Sequence, residues 1–291
     1  MSLSPADWLL RGAGNGGLER IEAFFQGNAY APHRHDTYAI GCTMAGVQSF
    51  TYRASLRHSL AGNTVVLHPD EVHDGHAGTA EGFRYRALYV EPARLQEALG
   101  GVALPFVAGG VSTDPRLAHA ARALLDHLDS PLEALEEDDA VLSLALALQA
   151  ASGSPAREAA GDFRAARIAR EFIHDEPDRV VTLDALAAAA GRDRWSLSRD
   201  FRAFFGTSPY RYVTLRRLDR ARRHMLAGRP LAECAALAGF ADQSHMTRQF
   251  ADAFGVTPSR WLRIFRAGHA LSNDARSFKT PGGGPPRVRF D

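Results

Sequence analysis

The chain has 291 residues, with 34 Lys+Arg against 33 Asp+Glu and a net charge of +1. Hydrophobic residues make up 45% and charged residues 23%, an ordinary globular balance that excludes a fibre or a disordered chain. The near-zero total conceals a split. Residues 1–161 carry a net charge of −8 and residues 162–270 a net of +7, with +2 left for 271–291. Such asymmetry in a chain of about two domains' length points to nucleic acid or membrane for the basic part. Membrane is disfavoured: the longest apolar stretch, Ala140 to Ala151, contains Ser143 and Gln149 and is too short to span a bilayer. Trp8-Leu9-Leu10 is too brief for a signal peptide. Cys42 and Cys234 have no zinc-site spacing and make no disulfide framework, as expected in a reducing, cytoplasmic compartment.

In chain order, Glu19 to Glu91 reads as short strands. Tyr38–Met44, Val47–Tyr52, Thr64–Leu67 and Phe83–Val90 carry β-branched and aromatic residues, divided by Gly46, Gly62-Asn63 and Pro69-Asp70. This spacing predicts a small antiparallel barrel or sandwich. After Glu91-Pro92, Arg116–Leu128 and Leu132–Ala151 are rich in Ala, Leu and Glu without internal Gly or Pro, which predicts two helices. The breaker-rich run from Ser152 to Gly161 predicts a linker. Asp162 to about Gly268 is helical in pattern. From Leu271 the chain runs into Pro281-Gly282-Gly283-Gly284-Pro285-Pro286, a composition that predicts a disordered tail.

The basic part repeats itself. Leu183, Ala187 and Gly191 recur 48 residues later as Leu231, Ala235 and Gly239. Leu197, Arg199, Phe201, Phe205, Gly206 and Pro209 recur 49 residues later as Met246, Arg248, Phe250, Phe254, Gly255 and Pro258. Each copy is a short helix, a Gly-centred turn and a second helix ending at Phe-Gly, the grammar of a helix-turn-helix. An arginine-rich helix, Tyr210 to Leu226, joins them. In the first copy Leu197, Phe201 and Phe204 form a buried stripe, leaving Trp195, Ser198, Arg199 and Arg202 outward. In the second copy Met246, Phe250 and Phe254 are the stripe, with Gln243, Ser244, His245, Thr247 and Arg248 outward. Arg suits guanine and Gln suits adenine in a major groove. Ser196 and Ser244, at helix starts, suit phosphate oxygens. Arg217 in the joining helix is expected to tie the two copies together through carboxylates.

The run Ala-Leu-Ala-Gly-Phe-Ala-Asp-Gln-Ser-His-Met-Thr-Arg-Gln-Phe at 236–250, followed by Phe254-Gly255-Val256-Thr257-Pro258, resembles the DNA-binding domain of the AraC/XylS family of bacterial transcription regulators. The resemblance covers about Asp162 to Arg266. It implies that Trp195, Ser198 and Arg199 read bases in the first unit, and Ser244, His245, Thr247 and Arg248 in the second. Trp261-Leu262 replaces the family's usual Tyr-Arg, a change expected to affect packing of the last helix rather than base reading.

In the acidic part, His33-Arg34-His35 precedes a strand, and the segment from Gly62 to His73 follows a second turn. This resembles the two cupin motifs found in effector-binding domains of many AraC/XylS regulators. In metal-binding cupins a His-X-His pair, a Glu and a later His hold one ion. Here His33, His35 and His73 are candidate metal ligands, but Ala39 or Ile40 stands where the Glu is expected. The sequence therefore favours no metal cofactor and an organic effector in the barrel mouth. His33, His35, Tyr38, His68, His73 and Arg84 are the candidate contacts, with Tyr89 beside them and Arg84 suited to a carboxylate.

The expectation is an α+β multidomain chain. A cupin-like effector-binding β-barrel occupies 1–110, a helical dimerisation segment 111–152, a linker 153–161, an all-α domain of two helix-turn-helix units 162–270, and a disordered tail 271–291. Leu135, Leu142 and Leu146 follow helical spacing and predict a homodimer interface, which would raise DNA affinity by linkage. The predicted function is a sequence-specific DNA-binding transcription regulator controlled by a small-molecule effector. Its partners would be double-stranded operator DNA and RNA polymerase, with no membrane and no catalytic activity. Two alternatives stand beside it. One is a cupin enzyme such as a dioxygenase fused to DNA-binding helices, against which the missing Glu argues. The other is an effector-independent DNA-binding protein whose barrel only assists oligomerisation.

Overall fold

Strands form where alternate residues can be buried. Leu18–Phe25 (β2) and Phe83–Val90 (β8) alternate buried and more exposed residues along nearly their whole lengths, the period-2 signature of a half-buried strand. The computed structural model describes residues 7–13, 18–153, 161–175 and 181–277. The other strands are β1 (Trp8–Arg11), β3 (Asn28–His33), β4 (Tyr38–Tyr52), β5 (Ser55–Leu60), β6 (Thr64–Leu67), β7 (His73–Ala77) and β9 (Val111–Ser112). All pairings are antiparallel. One sheet runs β1-β2-β8-β4-β6-β9; the second pairs β3 with β7, and β7 and β5 with β4.

Strand β4 belongs to both sheets. It is one strand of 15 residues, where two strands divided at Gly46 were expected. The glycine is a bend, not a turn. The register with β8 shifts between Thr43 and Ala45, and Gly46 takes φ +70°. A Cβ at this position would lie 2.0 Å from the Gly82 carbonyl oxygen, so only glycine fits.

Helix α1 (Pro92–Ala98), with Pro at its first turn, was not anticipated. Helices α2 (Pro115–Leu125) and α3 (Ala134–Ala151) pack on the sheet through Leu117, Leu124, Leu144 and Leu148 against Ile40, Leu88 and Val90. Leu135, Leu142 and Leu146 are exposed, Leu135 to 74%.

The basic part comprises α4 (Phe163–Asp175), α5 (Leu183–Ala190), α6 (Arg194–Phe205), α7 (Pro209–Leu226), α8 (Leu231–Leu237), α9 (Gln243–Phe254) and α10 (Pro258–Ser277). The repeat survives as geometry. Asp193 and Asp242 cap α6 and α9 through their side chains, and Gly206 and Gly255 end them in the left-handed conformation, as the cap preferences require. Leu197, Phe201 and Phe204 centre the first core, and Cys234, Met246 and Phe250 the second. Phe254 is only half-buried, Ala253 taking the buried place. Helix α7 contributes Tyr212 to the first core and Leu218 to the second. Helix α10 continues to Ser277, so residues 271–277 of the expected tail are helical. The rest of that tail, and residues 154–160 of the expected linker, lie outside the described residues. Among the described residues no helix is long and apolar enough to cross a membrane.

Candidate nucleic-acid interface and effector cavity

Helices α6 and α9 each bury an apolar stripe and present the opposite face. On α6, Trp195 is 66% exposed, Arg199 and Arg202 are exposed, and Ser196 and Ser198 are half-buried. Arg199 donates to Ser196 Oγ at 2.8 Å and Arg202 to Ser198 Oγ at 2.8 Å, which holds both guanidinium groups along the helix surface. On α9, Gln243, Ser244 and Arg248 are exposed and His245 and Thr247 half-buried. The His245 ring stands edge-on to Phe240 with centroids 5.5 Å apart. The ten residues singled out from sequence thus lie on solvent-accessible faces, outside the two cores.

A second arginine set does different work. From α7, Arg216 donates to Asp36 at 3.0 Å and to Glu91 at 2.7 Å. Arg222 donates to both carboxylate oxygens of Glu19, and Arg211 pairs with Asp70 at 3.1 Å. Arg170 from α4 donates to the other Glu91 oxygen at 2.7 Å. These pairs join the basic helices to the acidic barrel. Arg217, expected to make the carboxylate ties, instead lies beside the Gly239 turn of the second unit.

Burial and charge compete in this junction. Burial works to raise the pKa of Glu19, but Arg222 and Arg11 outweigh it and hold the carboxyl below its usual range. Glu91 behaves likewise under Arg216 and Arg170. Asp36 is the exception: burial pushes it up to about 6, only partly opposed by Arg216. A carboxyl enclosed among other carboxyls resists ionisation even beside an arginine.

Between barrel and α7 lies a cavity of about 320 Å³. Ile21, Leu215, Phe254 and Trp261 give it apolar walls, and Glu19, Asp36, Arg216 and Arg222 its polar groups. Trp261 is buried, with the Arg222 guanidinium 5.1 Å from its ring centroid, a cation–π contact. The residue that departs from the family pattern therefore forms part of the cavity wall.

His33 and His35 also border this cavity, and with His73 they converge inside the barrel. Their ring centroids are 4.3 Å apart for His33–His73, 4.9 Å for His35–His73 and 6.0 Å for His33–His35. One ring nitrogen of each lies within 4.8 Å of the others. Each Nδ1 sits 2.9 Å from a backbone carbonyl, of Ala31, Thr37 and Glu71 respectively. A carbonyl only accepts, so each Nδ1 carries the hydrogen and each Nε2 the lone pair. Burial first, then the neighbouring imidazoles, pushes all three pKa values down to about 3, with Arg211 adding to the effect at His33 and His35. The rings are neutral. The space they enclose with Ala39, Gly41 and Val65 is only about 40 Å³, so room for an organic molecule beside His33 and His35 lies in the larger cavity toward α7.

The other candidate contacts lie elsewhere. Tyr38 is buried and donates to the Pro105 carbonyl at 2.8 Å. His68 Nε2 accepts from the Val107 amide at 2.9 Å, and its Nδ1 donates to Tyr52 Oη at 2.6 Å. Both His68 nitrogens are thus spent within the core. Arg84 points outward, 45% exposed, and pairs with Glu22 at 2.9 Å. The alternation of β8 holds the signal for this: Tyr85, Ala87 and Tyr89 line the barrel interior, which puts Arg84 on the other face. Glu19, Asp36, Glu91, Arg216 and Arg222 were missed. Their signal was the opposite charge of the two parts, which complements across the junction as well as favouring DNA.

Residues 15–145 match the family described as AraC-like ligand binding domain, and residues 186–264 the family described as helix-turn-helix domain. The HTH-type transcriptional regulator YbfI of Bacillus subtilis is 25% identical over 242 residues, covering 78% of this chain and 86% of YbfI. The transcriptional activator NphR of Rhodococcus is 33% identical over 108 residues, 37% of this chain and 30% of NphR, so that match spans under a third of the relative's length. Among solved structures, ToxT of Vibrio cholerae superposes with a TM-score of 0.62 at 11% identity, covering 86% of this chain and 99% of ToxT. This likeness is one of fold. ToxT has also been solved with an unsaturated fatty acid bound (TM-score 0.59, 11% identity, 86% of this chain and 96% of ToxT).

Proposed function

The chain belongs to the AraC/XylS family of DNA-binding transcription regulators, with an N-terminal ligand-binding domain and a C-terminal helix-turn-helix domain, and on that premise we propose that a small organic effector, bound in the cavity between barrel and α7, controls how the two helix-turn-helix units meet DNA. The observation that carries this is the position of the cavity. Its floor is barrel, its roof is the helix that links both units, and its polar groups are the ion pairs that hold them together. About 320 Å³ is at the small end of ligand cavities. An effector with different affinity for the docked and released arrangements biases the equilibrium between them. Arg216 and Arg222 suit an anionic head group, and the apolar wall suits its body. The fatty acid bound to ToxT is an anion of this kind, and supports trying that class first.

In this scheme α6 reads bases through Trp195, Ser198, Arg199 and Arg202, and α9 through Gln243, Ser244, His245, Thr247 and Arg248, with Ser196 on phosphate. Two such helices enter successive major grooves, about 34 Å apart. The working units are 1–110 for sensing, 111–152 for dimerisation through the exposed Leu135, Leu142 and Leu146, and 162–270 for DNA. The name of NphR favours activation, with RNA polymerase as the partner at the promoter.

Thermal-shift screening against aliphatic and aromatic acids, sugars and amino acids tests the effector. A compound that stabilises the wild type and changes its operator affinity should lose both effects in Phe254→Trp, which fills the cavity. Retention of both effects in that variant would place the effector elsewhere.

A further inference from the structure

Arg20, on β2, is 2% exposed, and its guanidinium donates to backbone carbonyls. Nη1 donates to Leu124 at 3.1 Å and to His127 at 3.3 Å. Nη2 donates to Ala13 and, at 2.7 Å, to Ser130. Leu124 lies in the last turn of α2, and His127 and Ser130 in the connection to α3. A helix end leaves carbonyls without amide partners and carries partial negative charge. The buried guanidinium supplies both the donors and the opposite charge. Arg86 on β8 works beside it, donating to the Leu125 carbonyl at 3.1 Å and the Asp126 carbonyl at 3.2 Å. The chain after β1 is woven into the same place: the Gly12 amide donates to the Arg20 carbonyl and the Ala13 amide to the Leu128 carbonyl, both at 2.8 Å. A Cβ at Gly12 would fall 2.9 Å from Leu128 Cδ2 and from the Leu128 oxygen.

Only arginine suits this position. Its planar fork of donors bridges carbonyls of separate segments at once, which the point charge of a lysine does not. Burial lowers the Arg20 pKa, and Glu137 and Glu136, in the first turn of α3, oppose that effect and favour the charged form. The neighbouring residue faces the other way, because side chains alternate along a strand. Glu19 lines the cavity, where it holds Arg222 of α7 and pairs with Arg11 at 3.3 Å. Two adjacent residues of β2 therefore grip the DNA-binding helices on one face of the strand and the α2–α3 connection on the other. A strand that turns to follow Glu19 carries Arg20 with it.

We propose that Arg20 is a positioning residue: it fixes the α2–α3 connection, and with it the exposed leucine face of α3, and it makes dimer strength depend on the Glu19–Arg222 ion pair. The fixing of the connection stands on the carbonyl bonds alone; the effect on the dimer rests on the dimerisation reading given above.

Two variants of the full-length protein test this, so that one remains if the other does not fold. Arg20→Lys keeps the charge and loses the fork; Gly12→Ala keeps Arg20 and pushes on Leu128. With the fold confirmed by circular dichroism, each should exchange the Ala13 amide about tenfold faster than the wild type and dimerise about tenfold more weakly in sedimentation equilibrium. Glu19→Gln alone should shift the dimer constant by about threefold or more, and should shift it no further in a chain that already carries Arg20→Lys or Gly12→Ala. A general loss of packing would instead add the two effects. Wild-type exchange and a wild-type dimer constant in the folded variants would overturn the positioning role, and additive effects would overturn the dependence on Glu19. A wild type that stays monomeric, or a Leu142→Glu variant that dimerises as well as the wild type, would instead sink the dimerisation reading. Exchange at Ala13 then decides for or against Arg20 by itself.

Discussion

At the scale of single residues, two histidine environments in one barrel have different uses. His33, His35 and His73 each tie one ring nitrogen to a backbone carbonyl and lie together, whereas His68 has both nitrogens engaged and stacks on Phe106 with centroids 4.2 Å apart. Burial, then Arg53, pushes the His68 pKa down to about 4. The unfolded chain takes up this proton near pH 6.5, so the folded state binds it less tightly. The stability this residue contributes is complete above about pH 6.5 and is lost as pH falls through about 4, on the order of 3 kcal/mol in all. Ring ¹⁵N shifts should show His68 neutral at pH 5.5; an apparent pKa between 6 and 7 would contradict its buried, doubly bonded placement. The His-X-His pair was legible because it is local in sequence. His68 was not separable from His73 by sequence, because the intervening Pro69 and Asp70 (the latter at φ +61°) turn the chain and send the two rings to different places.

At the scale of elements, the repeat was legible because each copy carries its own stripe, turn glycine and Phe-Gly stop, all fixed by local helix geometry. The barrel was less so. Strand β4 looks like two strands, since nothing local distinguishes a glycine at a turn from a glycine at a bend. What decides is Gly82, distant in sequence, whose carbonyl occupies the space a side chain would need. Gly46→Ala should accordingly lower the barrel's stability by about 2 kcal/mol or more, through both positive φ and the clash. Gly62→Ala, also at positive φ but facing open space, should cost about 1 kcal/mol. Urea denaturation of both variants measures the difference. Equal losses would mean that Gly82 does not determine the bend.

At the scale of the whole molecule, the charge split has a second meaning. The acidic part keeps clear of phosphates, and it also receives Arg170, Arg211, Arg216, Arg222 and Arg260 from the basic part. Sequence could give the complementarity but not the partners, because each pair joins residues dozens to hundreds of positions apart. Removing one member of a buried pair costs ~3–5 kcal/mol, mostly by stranding the other charge. The double variant Arg216→Ala, Arg222→Ala should therefore release the helical part from the barrel. Small-angle scattering should record a larger radius of gyration with unchanged helix content by circular dichroism. An unchanged radius would show that these pairs do not hold the docked arrangement.

The account depends most on both helix-turn-helix units of one chain reading DNA. Hydroxyl-radical footprinting on an operator selected with the wild-type protein tests this directly. Two protected patches one helical turn apart on one DNA face are predicted. Arg199→Ala should weaken one patch and Arg248→Ala the other, each by ~1–3 kcal/mol of affinity. A single patch, or a footprint indifferent to both substitutions in folded protein, would contradict it.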